Sequence, residues 1–294
     1  MKIIVNIIIA GMLFSFSSAN LISGINGNMQ NFLSMNTGSF IDQNYRQINY
    51  NTNNLYSMSF IQFPADIKFH EIFIQKPFDK YMISSSMGVL NYGTLEDISN
   101  NQFSAKEQII KISIFNIESS SFTYGVSVAY QTSKISSYTS SLFAYSIGLK
   151  KSYFDDRFLI GLSLENYNDV IKYHSNVSDS LALIKKISTS YSPKFLPLDI
   201  IIDYLYQDTN NSELAIGIHG NIYKNFYLYS GKHIYLNNID YYGVFNNLAC
   251  GLGILINNRK KINNAFRIDL GVQHLTDGVL NIGTSLSIIT LDNF

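Results

Sequence analysis

The sequence predicts an all-β fold: a transmembrane antiparallel β-barrel of about fourteen strands, exported across the inner membrane. Three observations predict it. Bulky apolar and small polar residues alternate with a period of two along most of the chain. Charged residues are only 14% of the 294 residues, against roughly 25% in ordinary globular domains, while Tyr and Phe number 21 and 20. The N-terminus carries an export leader.

That leader is MKIIVNIIIAGMLFSFSSA, residues 1–19. Lys2 supplies the positive end, Ile3 to Phe16 the apolar run, and Ser17-Ser18-Ala19 the small-x-small pattern before a cleavage site at Ala19/Asn20. The run is short for a spanning helix of about 20 residues and no basic stop-transfer cluster follows it. A cleaved signal peptide is therefore expected, with the bacterial outer membrane as the destination.

Residues 20–54 are rich in Asn, Gly and Ser and weakly periodic; they are expected to form an N-terminal segment able to plug a lumen. The barrel is expected over 55–294. In FTYGVSVAYQ, Phe122, Tyr124, Val126, Val128 and Tyr130 share one strand face, with Thr123, Gly125, Ser127 and Ala129 on the other. Phe158, Ile160, Leu162 and Leu164 alternate likewise with Leu159, Gly161, Ser163 and Glu165. The same holds for Leu198 to Tyr206, Leu214 to His219 and Phe266 to Gln273. Turn clusters at 118–121, 153–156, 208–212, 257–261 and 276–278 separate the runs. Strands are expected at 55–62, 67–76, 80–91, 107–116, 122–132, 141–151, 157–167, 181–191, 197–207, 213–223, 226–234, 245–256, 264–274 and 279–289.

A soluble β-sandwich also has period two, but its outer face usually carries Lys, Glu and Thr. Here the second face is largely Gly, Ala and Ser with sparse charges, as a lumen requires. Tyr138, Tyr153, Tyr204, Tyr206, Tyr227, Tyr241 and Tyr242 stand near strand ends, where interfacial aromatic girdles belong. Terminal Phe294 adds weak support, since many strands recognised by the barrel-assembly machinery end in an aromatic.

No constellation of residues points to an enzyme, a cofactor or a metal. His70, His174, His219, His233 and His274 lie on separate segments without metal-ligand spacing. Asp155-Asp156 reads as a hairpin turn, and Gly251-Leu252-Gly253 lacks the helix a dinucleotide loop needs. Asp199 and Asp203 share a face and read as lumen groups, with Arg267 or Lys111 as candidate partners. Cys250 sits in an apolar phase with Leu248, Leu252 and Ile254 and reads as a small hydrophobe. The formal charge is +0, which removes a global electrostatic case for nucleic acid.

Several phrases resemble the PorV/PorQ family of outer-membrane barrels, itself related to the FadL transporters. They are GVLNYG (88–93) followed by Phe103-Ser104-Ala105, GVSVAYQTSKISSYTSSLFAYSIGL (125–149), GLGILI (251–256) and FRIDLGVQHLTDGVLNIGTSLSI (266–288). The early Asn-Pro-Ala phrase of such barrels is replaced here by Tyr50-Asn51-Thr52-Asn53-Asn54. The resemblance implies a fourteen-stranded, FadL-like barrel of the type IX protein secretion system. Such a barrel is monomeric within its complex, embedded in outer-membrane lipid, and anchors a large surface-exposed secretion protein or binds secreted cargo. The chain's shortness favours the PorQ-like anchoring role, with segments 95–106 and 168–179 as candidate docking loops and no individual partner-binding residue identified. The alternative is a FadL-like transporter of hydrophobic small molecules, plugged by residues 20–54.

Overall fold

The computed structural model describes residues 54–63, 66–96, 100, 102–116, 122–172, 183–207, 211–223, 225–236, 248–257, 264–274 and 280–290. The expected signal peptide (1–19), the expected plug segment except its last residue, Asn54, and the chain end at Phe294 lie outside the described residues, as do His174, Tyr241 and Tyr242.

The described residues form fourteen strands: β1 (Asn54–Gln62), β2 (Lys68–Phe78), β3 (Tyr81–Glu96), β4 (Gln102–Asn116), β5 (Phe122–Ile135), β6 (Tyr138–Tyr153), β7 (Phe158–Lys172), β8 (Ile184–Tyr191), β9 (Leu198–Gln207), β10 (Asn211–Tyr223), β11 (Phe226–Tyr235), β12 (Leu248–Asn257), β13 (Asn264–His274) and β14 (Leu280–Thr290). Each pairs antiparallel with its sequence neighbours, and β14 closes on β1 through pairs such as Asn54↔Thr290 and Ser57↔Ser287. Closure gives every strand a partner on both sides, which is what lets strands cross lipid at all.

An even strand count puts the start of β1 and the end of β14 at one end of the barrel. The connections there are short: 79–80, 117–121, 154–157, 192–197, 224–225 and 258–263. The two longest connections, 173–183 and 236–247, are at the opposite end. Short periplasmic turns and longer extracellular loops are the rule for bacterial barrels. The end with the start of β1 and the end of β14 is therefore the periplasmic end, and the other the outer end.

Alternation decides which side chains meet lipid. On β5, Tyr124, Val126, Val128 and Tyr130 point outward and are exposed, while Ser127 and Ala129 are buried inside. Outward Ile112 and Ile114 (β4), Ile147 and Leu149 (β6), Ile187 (β8), Ile202 (β9) and Ile218 (β10) continue the aliphatic band. Such a surface is tolerable only against hydrocarbon. Aromatics frame it: Phe78, Tyr81, Phe122, Tyr153, Tyr191 and Phe226 at the periplasmic rim, Phe143, Tyr145 and Tyr167 towards the outer one. Outward lysines lie over tyrosine rings at both rims, Lys76 over Tyr56 at 5.9 Å, Lys151 over Tyr153 at 5.1 Å and Lys185 over Tyr206 at 5.4 Å. Each keeps its ammonium at headgroup level while its stem covers apolar wall.

The wall is uneven in height. A tilted strand crosses a bilayer in about 9–11 residues, yet β3 to β7 run to 16, 15, 14, 16 and 15 residues. Their periplasmic ends stay level, with Phe78↔Tyr81 and Tyr153↔Phe158 closing tight hairpins and Tyr81 pairing with Asn116 at the foot of β4, so the surplus rises at the outer end. The two segments expected as connecting loops are in part strand: 95–96 and 102–106 belong to β3 and β4, and β7 carries strand to Lys172, while 173–179 lies outside the described residues. Strand continues there because backbone pairing outlasts the hydrophobic alternation.

The high wall drops furthest between β7 and β8. β7 pairs with β8 only from Phe158↔Tyr191 to Glu165↔Ile184, and beyond that it pairs with β6 alone. A β-bulge marks the step: Leu164 faces Ile147 and Tyr167 faces Tyr145, so Glu165 and Asn166 together oppose Ser146. Asn166 takes the left-handed conformation (φ 63°), and both bulge side chains are buried inside the barrel.

Candidate functional site in the barrel lumen

The inward face falls into three zones. At the outer end, inside the tall wall, lies an apolar cluster of Ile61, Ile67, Phe69, Leu90, Tyr92, Ala105, Ile109, Ala129, Leu142 and Ala144, with Phe63, Leu95, Ile135 and Val170 packed against it. β1 to β7 bring these residues together because their inward phase turns apolar above the membrane-crossing stretch. One polar group is set into it: Tyr92 Oη donates to Glu107 Oε1 at 2.9 Å and Gln131 Nε2 donates to Glu107 Oε2 at 3.2 Å.

The middle of the lumen is charged. Lys186 Nζ on β8 lies 3.9 Å from Glu165 Oε1 on β7. Lys111 on β4 interacts electrostatically with Glu165, Glu71 and Lys186, and Asp203 on β9 with Lys186 and Glu165. These five groups, each nearly inaccessible, link strands on separate arcs of the wall. Glu165 also accepts from Ser163 Oγ at 2.7 Å. Burying ions in this way adds little stability, because desolvation offsets most of the attraction. Its effect is a barrier: an apolar molecule passing along the axis would have to separate these charges.

At the periplasmic end, Arg267 Nε donates to Asp269 Oδ1 and Oδ2 at 3.1 and 3.0 Å, and its guanidinium carbon lies 5.0 Å from the Tyr227 ring centroid. Ser285 Oγ donates to the same Asp269 at 3.3 Å. His219 stacks on Tyr227 with ring centroids 6.2 Å apart, and its Nδ1 is 3.8 Å from Asp199 Oδ2. Ser192 Oγ donates to Asp199. The hydroxyl and the imidazole thus share one carboxylate.

Asp199, Asp203, Lys111 and Arg267 all face the lumen as expected, but their partners differ. Arg267 pairs with Asp269 on its own strand, Asp199 meets His219 and Ser192, and Lys111 faces Glu165 and Glu71. Tyr227, expected in the aromatic girdle, points inward and is buried. Its strand FYLYSGKHIY carries aromatics on both faces; the inward phase is set by small partners on β12, where Tyr227 pairs with Gly253. His70 faces outward beside Phe60, with ring centroids 5.0 Å apart. Asp155-Asp156 forms the expected turn, and Cys250 faces lipid. Glu165, Lys186 and Glu71 were not singled out from the sequence, since a charge on the small-residue face becomes a site only once the register is known. Among the described residues, no group of three or more His, Cys, Asp or Glu side chains could hold a metal ion.

No family model and no curated protein matches the chain. Solved structures do match. The toluene transporter TodX of Pseudomonas putida aligns over 92% of this chain and 96% of its own with TM-score 0.54 and 8% identity. The toluene transporter TbuX of Ralstonia pickettii aligns over 82% and 90% with TM-score 0.53 and 10% identity. A FadL homologue of Pseudomonas aeruginosa aligns over 81% and 88%, with TM-score 0.47 and 9% identity. The comparisons give no specific support to PorV/PorQ kinship. The lipid-facing band, the closed sheet and the likeness to TodX and TbuX agree on one fold: a fourteen-stranded antiparallel transmembrane β-barrel of the outer-membrane type.

Proposed function

We propose that the protein is an outer-membrane passage for hydrophobic small molecules rather than the anchor of a secretion complex. The observation that carries this reading is the apolar cluster inside the tall outer wall. Lipid does not demand apolar residues there, and the interior of a water-filled porin is polar. An apolar lining at the mouth fits capture of an apolar solute from outside, with Tyr92, Glu107 and Gln131 as a polar edge that orients it. The fold shared with TodX and TbuX, described as toluene transporters, supports the same class of cargo. The secretion-anchor role implied by the PorV/PorQ resemblance draws no support from the comparisons.

The test is binding and uptake of labelled toluene and a labelled long-chain fatty acid in cells lacking other such barrels. Expression of the protein is expected to raise uptake of at least one. Leu142→Gln, which makes the mouth polar at a buried position, is expected to abolish the gain while the barrel still assembles. No gain with either solute would sink the reading.

A further inference from the structure

We propose that the two neighbouring periplasmic turns 154–157 and 192–197 form an apolar foot that inserts into phospholipid of the inner leaflet. Phe195 is 88% exposed, Phe154 78% and Leu196 55%, and all three lie in turns beyond the ends of the strands. The other described turn residues at this end, Asp79, Lys80 and Asn225, are polar.

The foot is braced. Ser192 N–H donates to Arg157 C=O at 2.8 Å, tying one turn to the other, and Asn221 N–H donates to Pro197 C=O at 2.9 Å. Ser192 Oγ is held by Asp199 at the base. Pro193 and Pro197 bracket Lys194-Phe195-Leu196, fixing their own φ and keeping the residue before each extended. Gly220 lies against this turn, where an added Cβ would come within 3.1 Å of Pro197 O. The fold therefore holds large apolar side chains outward in a fixed position. A set tip loses little conformational freedom on insertion, so most of its burial is available for binding.

Continuity identifies the occupant. Tyr153, Phe158, Tyr191 and Leu198, the outward residues at the flanking strand ends, join the foot to the band already facing lipid. Basic groups sit among the aromatics, with Lys151 over Tyr153 at 5.1 Å and Lys194 over Phe195 at 5.9 Å. With Arg157 they stand where headgroup phosphates lie; Asp155 and Asp156 of the same turn are exposed and suit its aqueous side. The foot occupies the β6–β9 arc alone among the described turns, so it fixes the depth of one side of the barrel.

The chain has no Trp, so one substitution creates a unique fluorophore. Phe195→Trp, and separately Leu196→Trp, would be refolded into phosphatidylethanolamine–phosphatidylglycerol vesicles, with assembly checked by heat-modifiable gel mobility. Ile202→Trp serves as the hydrocarbon-facing reference. The expected result is blue-shifted emission, loss of intensity with chain-brominated phospholipid, and protection from acrylamide, for both foot variants. Both leaflets are phospholipid, so insertion direction does not matter. Acrylamide quenching without bromolipid quenching would place the tip in water and overturn the proposal. Protection from both quenchers would place it against protein and overturn it equally.

Discussion

The Arg267 guanidinium lies 5.0 Å from the centre of the Tyr227 ring, bringing two inward residues of β13 and β11 together over the intervening β12. Small inward residues on β12, Gly251 and Gly253, leave room for that contact. Asp269 neutralises the cation from the same strand at 3.0 Å.

Arg267→Leu is expected to leave the Asp269 carboxylate buried without its cation, destabilising the barrel by about 3–5 kcal/mol in reversible urea unfolding from lipid. Adding Asp269→Leu should recover most of that loss, whereas Tyr227→Phe should cost less than about 1 kcal/mol, because the ring face is retained. A double variant no better than Arg267→Leu alone would show that the pair does not account for the effect.

The bulge at the wall's step makes a conformational prediction. Asn166 at φ 63° occupies a region that costs a β-branched residue roughly 1–2 kcal/mol, while Gly adopts it freely. Asn166→Gly should leave unfolding midpoints nearly unchanged and Asn166→Val should lower them. Equal midpoints would mean that the bulge can shift along β7.

Packing in the outer mouth is tight at Gly88. A Cβ there would meet Ile109 Cγ2 at 3.0 Å and Phe69 Cε2 at 3.1 Å, both on buried side chains of the apolar cluster. Gly88→Ala is expected to cost about 1–3 kcal/mol through overpacking. Combining it with Ile109→Val, which removes one methyl from the crowded side chain, should return part of that cost in the same unfolding assay.

Cys250 tests the inside-outside assignment of β12. It is the chain's one cysteine, and it is exposed on the outward face, near Ser230 Oγ at 3.7 Å. A charged maleimide should fail to label it in intact vesicles and label it fully after denaturation. Rapid labelling by the charged reagent in vesicles would mean that this face meets water.

The barrel was legible because its strands advertise two faces. Tyr124–Val126–Val128–Tyr130 places aliphatics between aromatics, the profile of a membrane crossing written into one strand. The heights of β3 to β7 were not legible, because above the membrane hydrogen bonding no longer needs an apolar outer face. The lumen groups could be recognised as inward, as with Asp203 and Lys111, but not matched. Which strand faces which across a barrel depends on register and shear, to which the alternation of one strand is blind. Tyr227 was misplaced for a related reason: aromatics on both faces of β11 make its phase ambiguous until the glycines of β12 are seen beside it.

On the proposed function, hydrophobic molecules caught by the apolar mouth leave it sideways, above the charged layer that closes the axis to them and to polar solutes alike. The measurement is flux across vesicles whose outer leaflet is lipopolysaccharide, which slows toluene where a plain phospholipid bilayer passes it freely, with the purified barrel inserted and labelled toluene set against a sugar of similar size. The protein is expected to speed toluene transfer and to leave sugar permeability at that of protein-free vesicles. Sugar entry without any acceleration of toluene would contradict it, and would make the charged layer the wall of an open polar pore.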